Sequence, residues 1–85
     1  MKKGLATLAY KKPKEYAAQF GGDASIYSRI LSLTDCNELK QEHELARTNS
    51  NKVDHGSPEF RAEIGYMLAA TDRLWQLECE WEYPS

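Results

Sequence analysis

The apolar residues in the second half of this chain recur at alternating spacings of three and four, which is the period of a helix. The stripe runs Phe60, Ile64, Met67, Thr71, Leu74, Glu78 and Trp81, and Leu68 and Trp75 widen it. Ser57 supplies a hydroxyl for an N-cap, Pro58 suits the first helical position, and Glu59 lies at the positive end of the helix dipole. The pattern therefore predicts a long helix near residues 58–82.

A second and weaker helix is predicted directly before it. Residues 36–53 contain no proline or glycine, and Asp35 with Glu38 has the spacing of a capping box. The inward positions are Cys36, Leu39, His43, Ala46, Ser50 and Val53. Because this stripe carries little apolar surface, we expect the helix to depend on packing against a neighbour.

The short connection at residues 54–57 predicts that these two helices form an antiparallel hairpin. Small residues of the first helix would then face large residues of the second, with Ser50 opposite Ile64 and Ala46 opposite Met67. Such complementarity favours close packing of helix axes. Gly56–Phe60 reads Gly-Ser-Pro-Glu-Phe, which a common cloning polylinker also encodes. These residues start the predicted helix, and Phe60 is in phase with the apolar stripe that follows it. A native turn is therefore favoured over an engineered joint.

The N-terminal third predicts one or two shorter helices that cover the hairpin. Pro13 starts a segment that Gly21 and Gly22 end, and apolar residues then recur at helical spacing over residues 26–33. The predicted fold is all-α, a small three- or four-helix bundle. Residues 13–83 would form the single domain, with residues 1–12 as a basic N-terminal arm.

Net charge argues against a general nucleic-acid binder. The chain has 11 Lys and Arg against 13 Asp and Glu, a formal charge of −2, whereas binding to phosphates requires a cationic surface. The charge is uneven, because residues 1–14 hold lysines without acids and residues 76–85 hold glutamates without bases. At 85 residues the core is small, so a homo-oligomer or an obligate complex is expected.

The sequence predicts no membrane segment. The stretch Gly4 to Tyr10 after two lysines imitates a secretory signal, but it is short and meets Lys11 and Lys12 where a cleavage site would stand. No run approaches the roughly 18 apolar residues of a membrane span. We therefore expect a cytoplasmic protein.

The two cysteines are expected to be packed, reduced thiols. Neither Cys36 nor Cys79 belongs to a Cys-x-x-Cys motif, and Glu78 and Glu80 would raise the pKa of the Cys79 thiol. The hairpin order places Cys36 beside Cys79, so a redox pair is the rival interpretation.

No motif indicates catalysis, a cofactor or a metal. His43 and His55 lack the close spacing of structural zinc ligands, and His43 is expected to form a hydrogen bond with Thr71 or Asp72. No serine lies in a Gly-x-Ser-x-Gly elbow, and no glycine-rich loop could hold a phosphate. The chain is therefore expected not to be an enzyme.

Recognition of another protein remains as the predicted function. Trp and Tyr dominate many interface energies, and acids beside them favour a basic partner. The expected protein-binding face is Leu74, Trp75, Glu78, Trp81, Glu82 and Tyr83. Such a chain would act as an adaptor, a subunit or a regulatory inhibitor. Small proteins of this type are typical products of phages and mobile elements.

The alternative is a nucleic-acid or nucleotide binder that uses the N-terminal third. Its aromatic and cationic residues are Tyr10, Lys11, Lys12, Lys14, Tyr16 and Arg29. Aromatic rings interleaved with cations are typical of single-strand binding. Core aromatics flanked by solvated lysines would give the same pattern, and that interpretation is favoured.

Overall fold

The computed structural model of this protein describes residues 11–80. Within that part the chain forms four helices and no strand: α1 Pro13–Phe20, α2 Ala24–Ser32, α3 Cys36–Ser50 and α4 Pro58–Gln76. The predicted all-helical class is therefore confirmed. The predicted domain of residues 13–83 stays a prediction, because its last residues lie outside the described part. No helix in residues 11–80 combines the length and apolar content that crossing a bilayer requires.

Capping side chains begin three of the helices, and two of them, Asp35 and Ser57, were predicted from the sequence. The carboxylate of Asp23 accepts from the Ser25 amide at 2.9 Å, and that of Asp35 accepts from the Asn37 amide at 2.8 Å. The Ser57 hydroxyl accepts from the Phe60 amide at 3.1 Å. These contacts satisfy amide groups that a helix start leaves without partners.

The end of α4 differs from the prediction, because the helix stops at Gln76 rather than continuing to residue 82. Glu78 adopts a left-handed conformation with φ of 57°. Its amide donates to the Trp75 carbonyl, and the Cys79 amide donates to the Leu74 carbonyl, both at 3.0 Å. This pair of bonds is a Schellman motif, which terminates a helix. Glycine usually occupies the left-handed position, so a glutamate there gave no stop signal in the sequence.

Glycine at this left-handed position should stabilise the turn. We expect the Glu78→Gly variant to unfold with a free energy about 0.5–1 kcal/mol higher than the Glu78→Ala variant. Both variants lose the same carboxylate, so their difference reports the backbone alone. Urea titrations followed by circular dichroism measure it, and equal midpoints would contradict the left-handed assignment.

Helix α3 is also shorter than predicted, ending at Ser50 rather than at residue 53. The amides of Asn51 and Lys52 turn back onto the carbonyls of Thr48 and Asn49 at 3.2 and 3.0 Å. These short-range bonds tighten the chain at the helix end. The connection to α4 therefore spans residues 51–57.

The core forms where α1, α2 and α3 pack on α4, and the contact between α3 and α4 is the most extensive. Its buried residues are Tyr16, Tyr27, Ile30, Leu31, Leu39, Ala69, Ala70 and Leu74. Apart from Leu74, the buried residues of α4 are small, including Ala62 and Gly65. Bulky side chains from α1 and α2 therefore fill much of the space beside α4. The sequence had suggested that α4 itself would supply most of the bulk.

Two arginines of α4 tie the ends of α1 and α2 to that helix. The Arg61 guanidinium donates to the Gln19 carbonyl at 2.6 and 3.1 Å, and Arg73 Nε donates to the Leu33 carbonyl at 2.8 Å. Carbonyls at the end of a helix lack partners within it and carry partial negative charge. These arginines therefore have a structural role.

The expectation of reduced thiols is wrong, because Cys36 and Cys79 form a disulfide with their Cα atoms 5.9 Å apart. It joins the first residue of α3 to the turn after α4. The neighbouring acids bear on how reactive a free thiol is, and they do not determine whether two cysteines pair. Since disulfides persist mainly in oxidising compartments, this bond does not support the expected cytoplasmic location, which stays a prediction.

Candidate protein-binding surfaces

The predicted C-terminal face divides between the core and the surface. Leu74 is fully buried, with 0% of its side chain exposed, so it cannot contact a partner while the helix is packed. Trp75 is partly exposed, and Glu78 and Glu80 are exposed. Trp81, Glu82 and Tyr83 lie outside the described residues. In the described part, Trp75 and the acids after it therefore form what we call the C-terminal surface.

The alternative N-terminal set does not present an aromatic platform in the described residues. Tyr16 is fully buried, and Lys11 Nζ lies 5.8 Å from the centre of its ring. Arg29 forms an ion pair with a glutamate of α3. Lys12 and Lys14 are exposed, and Tyr10 lies outside the described part. Stacking of a base on Tyr16 would require α1 to leave the core, which disfavours this alternative.

Three tyrosines form a cluster between the N-terminal helices and α4. The rings of Tyr16 and Tyr27 stack with centroids 5.3 Å apart, and those of Tyr27 and Tyr66 are tilted at 4.8 Å. The Tyr27 hydroxyl donates to the Gly21 carbonyl at 2.8 Å, and the Tyr66 hydroxyl accepts from the Asp23 amide at 3.0 Å. The cluster thus fixes the turn between α1 and α2 against α4.

Burial controls the ionisation of the groups in and near this core. It raises the pKa of Tyr27 to about 12, and the charges of Tyr66 and Glu63 add to that effect. Burial also raises the pKa of Asp72, although the hydroxyl of Tyr16 donates to that carboxylate. Tyr27 is therefore neutral near pH 7 and suited to donating its hydrogen bond.

His43 is buried on α3, where burial lowers the pKa of its imidazole. His55 lies exposed in the connection and packs against Phe60, with ring centroids 4.6 Å apart. The two histidines are therefore in different surroundings. Among residues 11–80 no group of three or more His, Cys, Asp or Glu side chains could hold a metal ion.

A shallow groove lies between α2 and α3. Each of these helices packs on α4, and they make no extensive contact with each other. The groove is lined by Ile26 and Ile30 of α2, Leu45 and Ala46 of α3, and Glu63 and Tyr66 of α4. Its volume is about 110 Å³, whereas small-molecule sites usually enclose about 300–1,000 Å³. A space of this size suits one side chain better than a cofactor.

Arg29, Glu42 and Asn49 also line the groove. Arg29 on α2 donates to both carboxylate oxygens of Glu42 on α3, at 2.5 and 3.1 Å, and so bridges the two helices. Glu63 is half-buried, and its carboxylate forms no hydrogen bond or ion pair with another of residues 11–80. Burial raises the pKa of Glu63. Among residues 11–80, Glu42 therefore has a cationic partner and Glu63 has none.

The sequence did not reveal this groove. The helical spacing over residues 26–33 did not distinguish core positions from groove positions, and Leu45 lies off the predicted inward stripe of α3. Leu45 is 56% exposed. A leucine beside the charged Glu44, on the outward side of a helix, was the one available signal of an apolar surface there.

Comparison of the chain with protein-family models, with curated proteins and with solved structures gave no match. The chemistry of the surfaces described above is therefore the basis for assigning a function.

Proposed function

We propose that this chain is a small non-enzymatic protein-binding module that contacts its partner through the C-terminal surface. The observation that carries the proposal is the partial exposure of Trp75 in the last turn of α4, beside the exposed Glu78 and Glu80. Tryptophan is among the residues that most often dominate interface energies. Trp81, Glu82 and Tyr83 extend the same aromatic and acidic composition.

The turn after α4 supports the proposal because it is held at several points. Leu74 is anchored in the core, the Cys79 amide bonds back to the Leu74 carbonyl, and the disulfide links Cys79 to α3. A surface fixed before binding loses less conformational entropy when a partner arrives. The recognition residues thus start from a rigid base.

The charge of this surface suits a basic partner. Glu78 and Glu80 would favour encounter with a cationic protein surface through complementary electrostatic potential. A second copy of the chain is one such partner, because residues 1–14 carry five lysines and no acid. A homo-oligomer is therefore included in the proposal.

The proposal also includes the antiparallel hairpin of α3 and α4 in the register predicted from the sequence. That register places Cys36 beside Cys79, and the disulfide between them supports it. The extensive contact between the two helices is consistent with it as well. A cysteine pair at Ala46 and Met67, which the register places opposite each other, should cross-link readily on oxidation.

A capture experiment tests the function. The oxidised chain, immobilised through its N-terminus, should retain a partner protein from lysate, and Trp75→Ala should weaken that retention by about tenfold or more. Leu68→Ala is the matched control, because Leu68 is 40% exposed on the same helix. Helicity by circular dichroism should be unchanged in both variants.

Two outcomes would count against the C-terminal surface. One is equal capture by Trp75→Ala and the unmodified chain. The other is steep, salt-dependent retention on an oligonucleotide column that Lys12→Gln and Lys14→Gln abolish, which would favour the N-terminal alternative.

A further inference from the structure

The groove between α2 and α3 combines apolar walls with the Glu63 carboxylate, which has no counter-ion among residues 11–80. Ile26 and Leu45 supply apolar surface on opposite sides, and Glu63 comes from α4 beneath them. A carboxylate that is partly removed from water loses solvation and gains nothing in return unless a donor or cation approaches it. A ligand that brings both an apolar surface and a cation would therefore satisfy this groove.

Arginine has this composition in a single side chain. Its methylene stem covers apolar surface, and its guanidinium presents paired donors that match a carboxylate. The planar head group also stacks on aromatic rings, and Tyr66 lies beside Glu63 in the groove. The small volume of the groove agrees with an occupant of about one side chain.

We propose that the groove binds an arginine side chain of a partner protein, with the guanidinium paired to Glu63 and the stem between Ile26 and Leu45. The ion pair of Arg29 with Glu42 holds α2 and α3 together across the groove. Because Glu42 already neutralises Arg29, the positive charge of Arg29 is no strong barrier to an incoming cation. This site shares no residue with the C-terminal surface and does not depend on it.

Matched blocked tripeptides can test the chemistry directly. The probes are acetyl-Ala-Arg-Ala-amide, its citrulline analogue, which has nearly the same shape without the charge, and its leucine analogue. Methyl chemical shifts of Ile26, Ile30 and Leu45 in ¹³C-labelled protein report occupancy of the groove. We expect saturable shifts with the arginine peptide. The citrulline and leucine peptides should bind with an affinity at least about tenfold lower.

Variants of the protein distinguish a specific contact of Glu63 with the peptide from a general effect of negative charge. Glu63→Gln should weaken binding of the arginine peptide by about tenfold. Glu38→Gln removes an exposed acid on α3 that does not line the groove, and it should leave binding of the arginine peptide unchanged. Trp75→Ala should also leave it unchanged, which distinguishes this site from the C-terminal surface. Absence of saturable shifts, equal binding of the citrulline peptide, or full binding by Glu63→Gln would each overturn the proposal. Stronger binding of the leucine peptide would show that the groove is a purely apolar site.

Discussion

Removal of the Cys36–Cys79 disulfide is expected to lower the free energy of unfolding by about 4 kcal/mol. The reason is the sequence separation of 43 residues between the two cysteines. The crosslink closes a loop that includes most of α3, the connection and α4, and it thereby restricts the unfolded chain. Stabilities of small domains are commonly about 5–15 kcal/mol, so this loss would remove a large share of the total.

Urea unfolding monitored by circular dichroism measures this loss. The oxidised chain is compared with the Cys36→Ser/Cys79→Ser variant, and both are repeated with a reducing agent. The reductant should destabilise the unmodified chain and leave the double variant unchanged. A difference under about 1 kcal/mol would contradict this expectation and would mean that the reduced unfolded chain already retains compact structure, so that the crosslink restricts it little.

The disulfide also links stability to the proposed function. It anchors Cys79 directly after the left-handed Glu78, and the Trp75 side chain lies in the turn of helix just before. Without the crosslink, the buried Leu74 and the Schellman hydrogen bonds would still hold the last turn of α4, but Cys79 would lose its covalent link to α3. Helix ends without tertiary anchors open at low free-energy cost. The C-terminal surface should therefore be better ordered, and bind more tightly, in the oxidised protein.

Local signals in the sequence accounted for the all-helical class and for three of the helix starts. Pro13, Asp35 and Ser57 mark helix starts through the geometry of their own residues, and such signals need no knowledge of the tertiary structure. The end of α4 was misplaced because the apolar period continues beyond Gln76 while the backbone turns at Glu78. The hairpin order had placed Cys36 beside Cys79, but their oxidation could not be predicted from the sequence, since it also depends on the compartment.

The candidate surfaces were less accessible to sequence reasoning. Leu74 and Trp75 both belong to an apolar, aromatic stretch, and only the rotation of α4 against its neighbours shows that one is buried and the other partly exposed. Tyr16 raised the same difficulty, because lysines near it in the sequence suggested an exposed ring, whereas the structure buries it. The groove depends on a gap between α2 and α3, and residue patterns within single helices do not describe the spacing between helices.

Gly65→Ala is expected to destabilise the protein by about 1–3 kcal/mol, although alanine favours helix formation over glycine by about 1 kcal/mol. Gly65 lies inside α4 at the closest approach of the tyrosine cluster. A Cβ atom there would collide with the Tyr27 hydroxyl and lie 2.6 Å from the Cβ of Phe20. Tyr27 cannot easily yield, because its hydroxyl bonds to Gly21 and its ring packs between Tyr16 and Tyr66.

Urea unfolding of four variants, namely Gly65→Ala, Gly56→Ala, Tyr27→Phe and the double variant Gly65→Ala/Tyr27→Phe, tests this steric effect. Gly56→Ala is the matched control, since a Cβ there meets no atom within 4 Å, and its stability should stay within about 0.5 kcal/mol of the parent chain. Tyr27→Phe removes the hydroxyl that the new Cβ would strike. Gly65→Ala should therefore cost less in the Tyr27→Phe background than alone, a coupling that a double-mutant cycle measures. Additive effects, or a Gly65→Ala variant as stable as its parent, would show that α1 and α2 do not approach α4 as closely as the tyrosine cluster requires.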